Sequence, residues 1–395
     1  MKFNQAAKLR ILYFLVFSCT ASWLPIFADF LKERGLSGME ISTLLSITPL
    51  MMFVVQPFAG ILSDRLGYKQ TLVIASFFAA ASYLFYLFHT SFITYLIITV
   101  GMAFFYNSVQ PILDSLSLQL VKQNPAFSYG TLRIAGAAGW AFTGSIVGHY
   151  IDAIDTSVIF IFSSVTMFLV FLFAFFLAPD AAHRQVLKKK ATATAWQVIR
   201  NRKLIFLLVC VFLVSTGGTT IWNFYSIYMK EQGASASLVG FGISLQGLCE
   251  LPLFYFSALI IKRLGTKSAL LVTIFATALR MFLYSQVKNP QAALFIELLH
   301  GVSWSLFWVV CVEYVDRLVL EEWRATGQSL LYAAYFGVGA IAGNYWTGFL
   351  YDAKLKIATI FLLNACMVFI TGMLVAIFMQ NVNDPEKVAH NRLEG

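Results

Sequence analysis

The sequence predicts an all-α membrane protein in which about twelve helices cross the bilayer in two similar bundles of six. Of its 395 residues, 59% are hydrophobic and 12% are charged, and the mean hydropathy is +0.75. A soluble domain carries about twice that share of charge. The apolar runs last about 20 residues, as a bilayer-crossing helix requires, whereas the strands of a membrane β-barrel alternate over about 10 residues. The sequence therefore predicts that most of the protein surface faces lipid.

Twelve apolar runs separated by short polar breaks supply the candidate spans. The longest hydrophilic break, residues 179–203, divides them six and six. We therefore assign residues 1–178 to a first six-helix bundle, 179–203 to a cytoplasmic linker loop, 204–380 to a second six-helix bundle and 381–395 to a cytoplasmic tail. The runs lie near residues 11–31, 41–62, 71–88, 92–118, 132–151, 157–178, 204–228, 238–261, 268–287, 291–314, 326–350 and 357–379.

The distribution of Lys and Arg gives the orientation. With both termini in the cytoplasm, the inner segments hold 20 of these residues and the outer loops hold 6. Cytoplasmic segments of membrane proteins carry the excess of basic residues. We therefore expect both termini to be cytoplasmic and the protein to lie in the plasma membrane, the inner membrane of a bacterium. The first apolar run lacks a small-residue cleavage site, so we expect no cleavable signal peptide.

Three short motifs of the first half recur in the second half at a nearly constant offset of 198 to 200 residues. Each motif follows the corresponding span of its half. Because each repeat holds six spans, the two repeats run parallel, and such repeats enclose a substrate site between halves that rock to give alternating access. The matching pairs are FLKERG at 30–35 with YMKEQG at 228–233, RLGYK at 65–69 with RLGTK at 263–267, and GHYID at 148–152 with GFLYD at 348–352.

The segment GILSDRLGYK at 60–69 resembles the signature loop between the second and third spans of the major facilitator superfamily. The resemblance implies the major facilitator fold, and it implies that Asp64, Arg65, Gly67 and Lys69 act in gating at the cytoplasmic surface. A closer resemblance, over most of the chain, is to the lactose, sucrose and phenylpropionate permeases. It is carried by QPFAGILSD at 56–64, YGTLRIAGAAGWA at 129–141, ALR at 278–280 and LLH at 298–300.

The positions that match this group supply its sugar-binding and proton-coupling side chains. Asp114 matches a substrate-contacting carboxylate, Arg133 matches its arginine partner, and Trp140 matches an indole that stacks on a sugar ring. Asp114 and Arg133 also lie at similar depth in spans 4 and 5, so we expect them to pair and neutralise each other. The alternative is a purely structural tie between two helices.

Ionisable side chains within the spans are further candidates, because each is costly in lipid unless it is paired or hydrated. Arg280, late in span 9, and Glu297, early in span 10, lie at similar depth and are expected to pair. His300 is three residues beyond Glu297 on the same helical face. Glu297 is the first-ranked candidate proton carrier, because its contact with Arg280 would set its affinity for protons, and His300 would relay the proton or orient the substrate. Glu250, in the middle of span 8, has no basic partner evident in the sequence and is the second-ranked carrier. A buried structural role is the alternative for each of these residues.

The chain departs from the lactose permease at positions that matter for coupling. Ser303 stands where that permease has a carboxylate one turn after the histidine of span 10. Trp222 and Glu297 stand where the lactose permease has an aspartate–lysine pair between spans 7 and 10. The coupling chemistry of that permease therefore does not transfer unchanged to this chain. Trp222 and Asn223 follow two glycines and are candidates for substrate binding. Glu313, the repeat counterpart of Asp114, is expected to be solvated and structural.

The leading functional prediction is a proton-coupled symporter that takes up a small polar organic solute, with a sugar or glycoside favoured. Uptake of an aromatic carboxylate or nucleoside, proton-coupled drug efflux, and a non-transporting sensor or channel are the alternatives.

No nucleotide-binding loop, HExxH or CxxC motif occurs, and the five cysteines stand singly in apolar runs, so we predict no enzyme activity, metal or cofactor. The expected partners are a small-molecule substrate, protons and membrane lipid; the net charge of +9 reflects cytoplasmic loops rather than nucleic-acid binding, and we expect a monomer.

Overall fold

A computed structural model describes residues 5–88, 91–124, 129–177, 201–319 and 323–379. Within these ranges the chain forms twelve helical spans and no strand, which confirms the predicted fold class. Spans 1 to 6 are Gln5–Glu33, Gly38–Leu66, Tyr68–Phe88, Phe92–Gln123, Tyr129–Ala153 and Val158–Phe175. Spans 7 to 12 are Arg202–Glu231, Ala236–Leu264, Thr266–Gln286, Pro290–Leu318, 324–352 and Ile357–Phe378.

Ten of these described spans are apolar enough to cross a membrane by composition alone. The exceptions are spans 5 and 11, which are long but rich in glycine, alanine and polar residues. Both pack against the opposite half of the molecule, where small residues allow close approach. Of the predicted linker and tail, residues 179–200 and 381–395 lie outside the described residues, so those two assignments stay predictions.

Capping side chains and glycines set the ends of the helices in the same way in both halves. Span 2 begins with a capping box, in which Ser37 accepts from the amide of Glu40 and Glu40 accepts from the amide of Ser37. Ser235 caps span 8 by accepting from the amide of Leu238. The described glycines with a positive φ, between +78° and +89°, all belong to the repeated motifs and confirm their structural equivalence. They are Gly35, Gly67, Gly233 and Gly265.

Lysines of the repeated RLG motif make equivalent contacts in the two halves. Lys69 Nζ donates to the carbonyl oxygen of Leu177 at 2.8 Å, and Lys267 Nζ donates to that of Ala376 at 2.9 Å. Each lysine thereby reaches the C-terminal end of the last span of its own half, where a cation complements the helix dipole.

The two halves meet where span 5 packs on span 8 and span 2 packs on span 11. A Cβ atom on Gly148 would collide with the carbonyl oxygen of Ala236, and one on Gly348 would collide with that of Gly38. Hydrogen bonds and ion pairs that join described residues of opposite halves all lie between mid-span and one end of the bundle. We call this end the closed end; it carries residues 33–38, 152–157, 231–236 and 352–357.

Candidate functional site

Span 10 departs from regular α-helical geometry where it carries its ionisable residues. Glu297–Leu299 forms a 3-10 turn, and Gly301–Leu306 forms a π-helix. Departures of this kind are frequent at functional sites. They lie on either side of His300, and both Glu297 and His300 contact Arg280 of span 9.

Arg280 and Glu297 form the ion pair that the sequence predicts, between Nη2 and Oε2. Both side chains are fully buried. Tyr284 Oη donates to Glu297 Oε1 and accepts from Arg280 Nε at 3.2 Å. Gln246 Nε2 of span 8 donates to Glu297 Oε2 at 2.9 Å. The Glu297 carboxylate therefore has donors on both oxygens, as a buried charge requires.

His300 connects this ion pair to Glu250. Arg280 Nη1 lies 2.8 Å from His300 Nδ1. Because a guanidinium can only donate, Nδ1 accepts, and we assign the proton of a neutral His300 ring to Nε2. That nitrogen lies 3.0 Å from Glu250 Oε1. The expectation that Glu250 lacks a partner is therefore wrong, because span 10 brings His300 against span 8.

Glu250, His300, Arg280 and Glu297 thus form one continuous hydrogen-bonded series, which we call the polar chain. Glu250 is its accessible end, with 18% of its side chain exposed, whereas the other three side chains are at most 2% exposed. Two carboxylates and one guanidinium leave an excess negative charge when the imidazole is neutral. One bound proton removes that excess, which an apolar surrounding favours strongly.

Asp114 of span 4 is satisfied within its own half. Its Oδ1 atom accepts from Tyr13 Oη at 2.7 Å, Tyr129 Oη at 2.9 Å and Gln110 Nε2 at 3.0 Å. Between these described residues, no ion pair joins Asp114 to Arg133, so the predicted direct pair is wrong. The two charges interact only at longer range, and the three neutral donors converge on Oδ1 of Asp114 instead.

Arg133 lies between the halves, near the accessible end of the polar chain. Its guanidinium is 5.7 Å from the centroid of the Phe17 ring, a cation–π contact. Its charge also acts on Glu250 and Tyr332 of the opposite half. A cation in this position is suited to attract an anionic group of a solute that enters between the halves.

Trp140 of span 5 and Trp222 of span 7 meet edge to face across the two halves, with centroids 6.2 Å apart. The indole of Trp140 packs against Gly247 of span 8. Its Nε1 atom is buried and has no hydrogen-bond partner among the described residues. Trp222 contacts the His300 ring at 5.3 Å, and its Nε1 donates to Tyr335 Oη at 3.4 Å. The two indoles therefore link the interface between the halves to the polar chain.

Sequence reasoning missed further aromatic residues beside Trp222. The Trp304 ring lies 5.1 Å from Trp222, 5.8 Å from Trp308 and 5.2 Å from Tyr335. The spacing of Trp304 and Trp308 places them on one helical face, but the 63 Phe, Tyr and Trp residues of the chain conceal such a signal. A small cavity adjoins them, lined by Val214, Gly218, Ile221, Trp222, Thr277, Arg280, Ser303, Trp304 and Tyr335.

Two other candidates have structural contacts. Asn223 Nδ2 donates to Asn344 Oδ1 at 2.7 Å, and Asn344 in turn donates to Ser46 of the other half. Asn223 therefore belongs to the contact between the halves and does not line the cavity. Glu313 pairs with Arg317 one turn away at 2.9 Å and is 41% exposed, in agreement with the solvated position expected for it.

The predicted gating loop lies at the end of the bundle opposite the closed end. Gly67 separates spans 2 and 3 with a φ of +89°, and Arg65 is exposed. Lys69 reaches the end of span 6, as described above, while the side chain of Asp64 lies outside the described part of the chain. The gating role of this loop stays a prediction.

No group of three or more His, Cys, Asp and Glu side chains suited to a metal ion occurs among the described residues. The five cysteines are unpaired thiols, of which Cys19, Cys210 and Cys311 are buried.

Comparison with known proteins relates most of the chain to membrane transporters. The MFS_1 like family matches residues 6–363. The maltose permease of Geobacillus stearothermophilus is 25% identical over 359 residues, covering 87% of this chain and 89% of that protein. The probable 3-phenylpropionic acid transporter of Escherichia coli (strain K12) is 24% identical over 353 residues, covering 86% and 89%. The crystal structure of the nucleoside transporter NupG superposes with a TM-score of 0.82 at 18% identity, covering 96% of this chain and 100% of that one.

Proposed function

This chain belongs to the MFS_1 like family and is a membrane transporter of the major facilitator type, and on that premise we propose that it is a proton-coupled symporter for a small polar organic solute. A sugar or glycoside is the favoured substrate. The observation that carries the proposal is the polar chain from Glu250 through His300 and Arg280 to Glu297.

The charge of the polar chain gives a physical reason for coupling. Without a proton, the polar chain carries an excess negative charge, and Arg133, whose charge acts on Glu250, forms no ion pair with it in the described structure. This excess opposes any movement that closes apolar surface over Glu250. A proton that binds at the accessible Glu250 end removes this opposition. His300 can then pass the effect of protonation to Arg280, because its ring bonds to both neighbours. Reorientation of the halves therefore requires a proton, and transport of substrate follows it.

The substrate site that we propose lies between Trp140 and Trp222, bounded by Arg133 and Glu250. An indole face stacks well on the apolar face of a sugar ring, and the partnerless Trp140 Nε1 can donate to a hydroxyl group. Glu250 can accept from another hydroxyl. Because Trp222 also packs on His300, a solute that displaces Trp222 would disturb the polar chain directly.

A second candidate, uptake of an aromatic carboxylate, is favoured by one specific observation. Arg133 forms no ion pair with Asp114 in the described structure and lies beside an aromatic ring. A guanidinium in this state can bind a substrate carboxylate while the indoles hold its ring. The similarity to a probable 3-phenylpropionic acid transporter gives this candidate independent support.

We also propose that the closed end faces the outside of the cell, that both termini are cytoplasmic, and that the protein resides in the bacterial inner membrane. The basic residues support this orientation, since the inner segments hold 20 Lys and Arg and the outer loops hold 6. In this orientation the structure corresponds to a state closed to the outside.

Transport by the purified protein in liposomes tests the proposed function. Maltose, uridine and 3-phenylpropionate are added in turn outside liposomes, with a pH-sensitive dye in the external medium. We expect one of them to cause alkalinisation outside and to accumulate when the exterior is acidic. Solute counterflow without any movement of protons would contradict coupling and leave a uniporter.

The same assay separates the remaining classes of function. Drug efflux would require that a proton gradient expel a lipophilic cation and that none of the three solutes accumulate. A channel would leak solute without saturation, and a sensor would bind solute without counterflow. Each of these outcomes would overturn the proposal of symport.

A further inference from the structure

Two aspartates at the closed end each bond to the backbone of the opposite half. Asp152, at the end of span 5, accepts from the amides of Ala236 and Ser237 at 2.8 Å, at the start of span 8. It also accepts from the Ser237 hydroxyl. Asp352, at the end of span 11, accepts from the amides of Gly38 and Met39, at 2.6 and 2.9 Å, at the start of span 2.

These contacts are equivalent in the repeat, since Asp152 and Asp352 are the last residues of the matching GHYID and GFLYD motifs. The first amides of a helix lack acceptors within the helix and form its positive end, where a carboxylate is stabilising. Ser37 and Ser235 cap their own helices at the third position. The aspartates take the first and second amides, so each first turn is completed only by the other half.

Close backbone approach makes these contacts possible. Gly148, one turn before Asp152, lies so near Ala236 that a Cβ atom would collide with its carbonyl oxygen. Gly348 has the same relation to Gly38, one turn before Asp352. Neither aspartate could reach the opposite helix if these positions carried larger side chains.

The matching motifs FLKERG at 30–35 and YMKEQG at 228–233 add ion pairs between the halves at the same end. Lys230 of the second half bonds to Glu33 of the first at 2.8 Å and to the buried Asp29 at 2.6 Å. Its counterpart Lys32 approaches Glu231 at 4.0 Å. The ion pairs of Lys230 are shorter than that of Lys32. By contrast, Asp152 and Asp352 bond to the opposite helix at similar distances.

We propose that Asp152 and Asp352 are a reciprocal pair of latches that hold the closed end shut and must both release when the halves part there. Opening removes both carboxylates from the helix starts, so four amides and two carboxylates must be rehydrated together. The latches therefore favour the state closed to the outside and set how often the other state is visited. Only the direction "outside" depends on the proposed function; the latch itself does not.

Hydrogen–deuterium exchange of the full chain in lipid nanodiscs tests the proposal without a substrate. The measured peptides cover residues 36–41 and 235–240. We expect Asp152→Ala to speed exchange about tenfold or more in 235–240, where its own bonds are lost, and also in 36–41, because the halves part more often. Asp352→Ala should likewise speed exchange in 36–41, where its own bonds are lost, and also in 235–240. Asp152→Asn, which keeps one acceptor oxygen, should give an intermediate effect.

Asp155→Ala is the matched control, because this carboxylate lies three residues after Asp152 at the same end, and among the described residues its hydrogen bonds are to Ser157 of its own half. It should change neither peptide. If each alanine variant speeds exchange only in the peptide it contacted, the aspartates are local caps and the latch is refuted. The test is independent of proton coupling, since a uniporter with this latch would give the same exchange pattern. Unchanged melting temperatures of the asparagine variants guard against misfolding.

Discussion

Glu250 Oε1 lies 3.0 Å from His300 Nε2, and this contact joins a partly exposed carboxylate to a cluster otherwise sealed from water. It connects the buried Arg280–Glu297 pair to a carboxylate that is 18% exposed. In the proposed symport mechanism, a proton bound at Glu250 would act on the Arg280–Glu297 pair through His300, because His300 bonds to Glu250 with one nitrogen and to Arg280 with the other.

We therefore predict that Glu250→Gln abolishes proton-driven accumulation while solute exchange down its gradient persists. Glutamine keeps the size of the side chain and a hydrogen bond to His300, but it cannot take up a proton. Accumulation and counterflow are measured in liposomes with whichever of maltose, uridine and 3-phenylpropionate the wild type carries. Glu313→Gln is the control, because this carboxylate pairs with Arg317 outside the site. A Glu250→Gln variant that still accumulates solute against its gradient would remove Glu250 from the coupling machinery.

Glu297→Gln should also lose accumulation, but unlike Glu250→Gln it should destabilise the fold. The sequence alone ranks Glu297 first as proton carrier. In the structure it neutralises Arg280 and accepts from Tyr284 and Gln246. Leaving a buried cation uncompensated costs about 3–5 kcal/mol. A melting temperature clearly below that of Glu250→Gln, in a fluorescence-detected unfolding assay, is the expected result. Equal melting temperatures for the two variants would mean that the ion pair adds little stability.

Much of the fold follows from the sequence, because lipid solvation imposes span length and the repeated motifs impose equivalent turns. The Arg280–Glu297 pair was predictable too, since depth in the membrane can be counted along adjacent spans. The partners of Glu250 and Asp114 were not. His300 reaches Glu250 because spans 8 and 10 pack together, and the donors to Asp114 include Tyr13 from span 1. Contacts between spans distant in sequence depend on helix rotation, which hydropathy does not reveal.

The orientation of the central linker can be tested in intact cells. A cysteine introduced at Lys189 should resist labelling by a membrane-impermeant maleimide until the cells are permeabilised, because the basic linker is expected to be cytoplasmic. A cysteine at Lys354, in the turn between spans 11 and 12, should label without permeabilisation and serves as the control. Immediate labelling at position 189 would reverse the proposed topology and, with it, the direction that the closed end faces.

Trp140 should contribute to solute affinity through its ring and not through the stability of the fold. We expect Trp140→Ala to weaken binding by about 1–3 kcal/mol, the usual value of an aromatic stacking contact, and Trp140→Tyr to retain part of it. Binding is measured by calorimetry with the transported solute. Trp346→Ala is the control, because this partly exposed indole bonds to Asn364 outside the site. Undiminished affinity in Trp140→Ala would return the residue to a packing role and weaken the sugar proposal.

Arg133 distinguishes the two proposed substrate classes. If the substrate is an aromatic carboxylate, Arg133→Gln removes its counter-ion and should weaken binding of 3-phenylpropionate by about 1.5–3 kcal/mol, the value of a hydrogen bond to a charged group. If the substrate is a sugar, the same variant should lower maltose affinity only slightly, since glutamine still offers a donor to a hydroxyl group. Arg317→Gln provides the control, because that arginine pairs with Glu313 away from the site. Calorimetric titration of each variant with both solutes gives the answer. Loss of maltose affinity comparable to the loss for 3-phenylpropionate would show that Arg133 shapes the site as a whole, and the carboxylate assignment would then have no support from this residue.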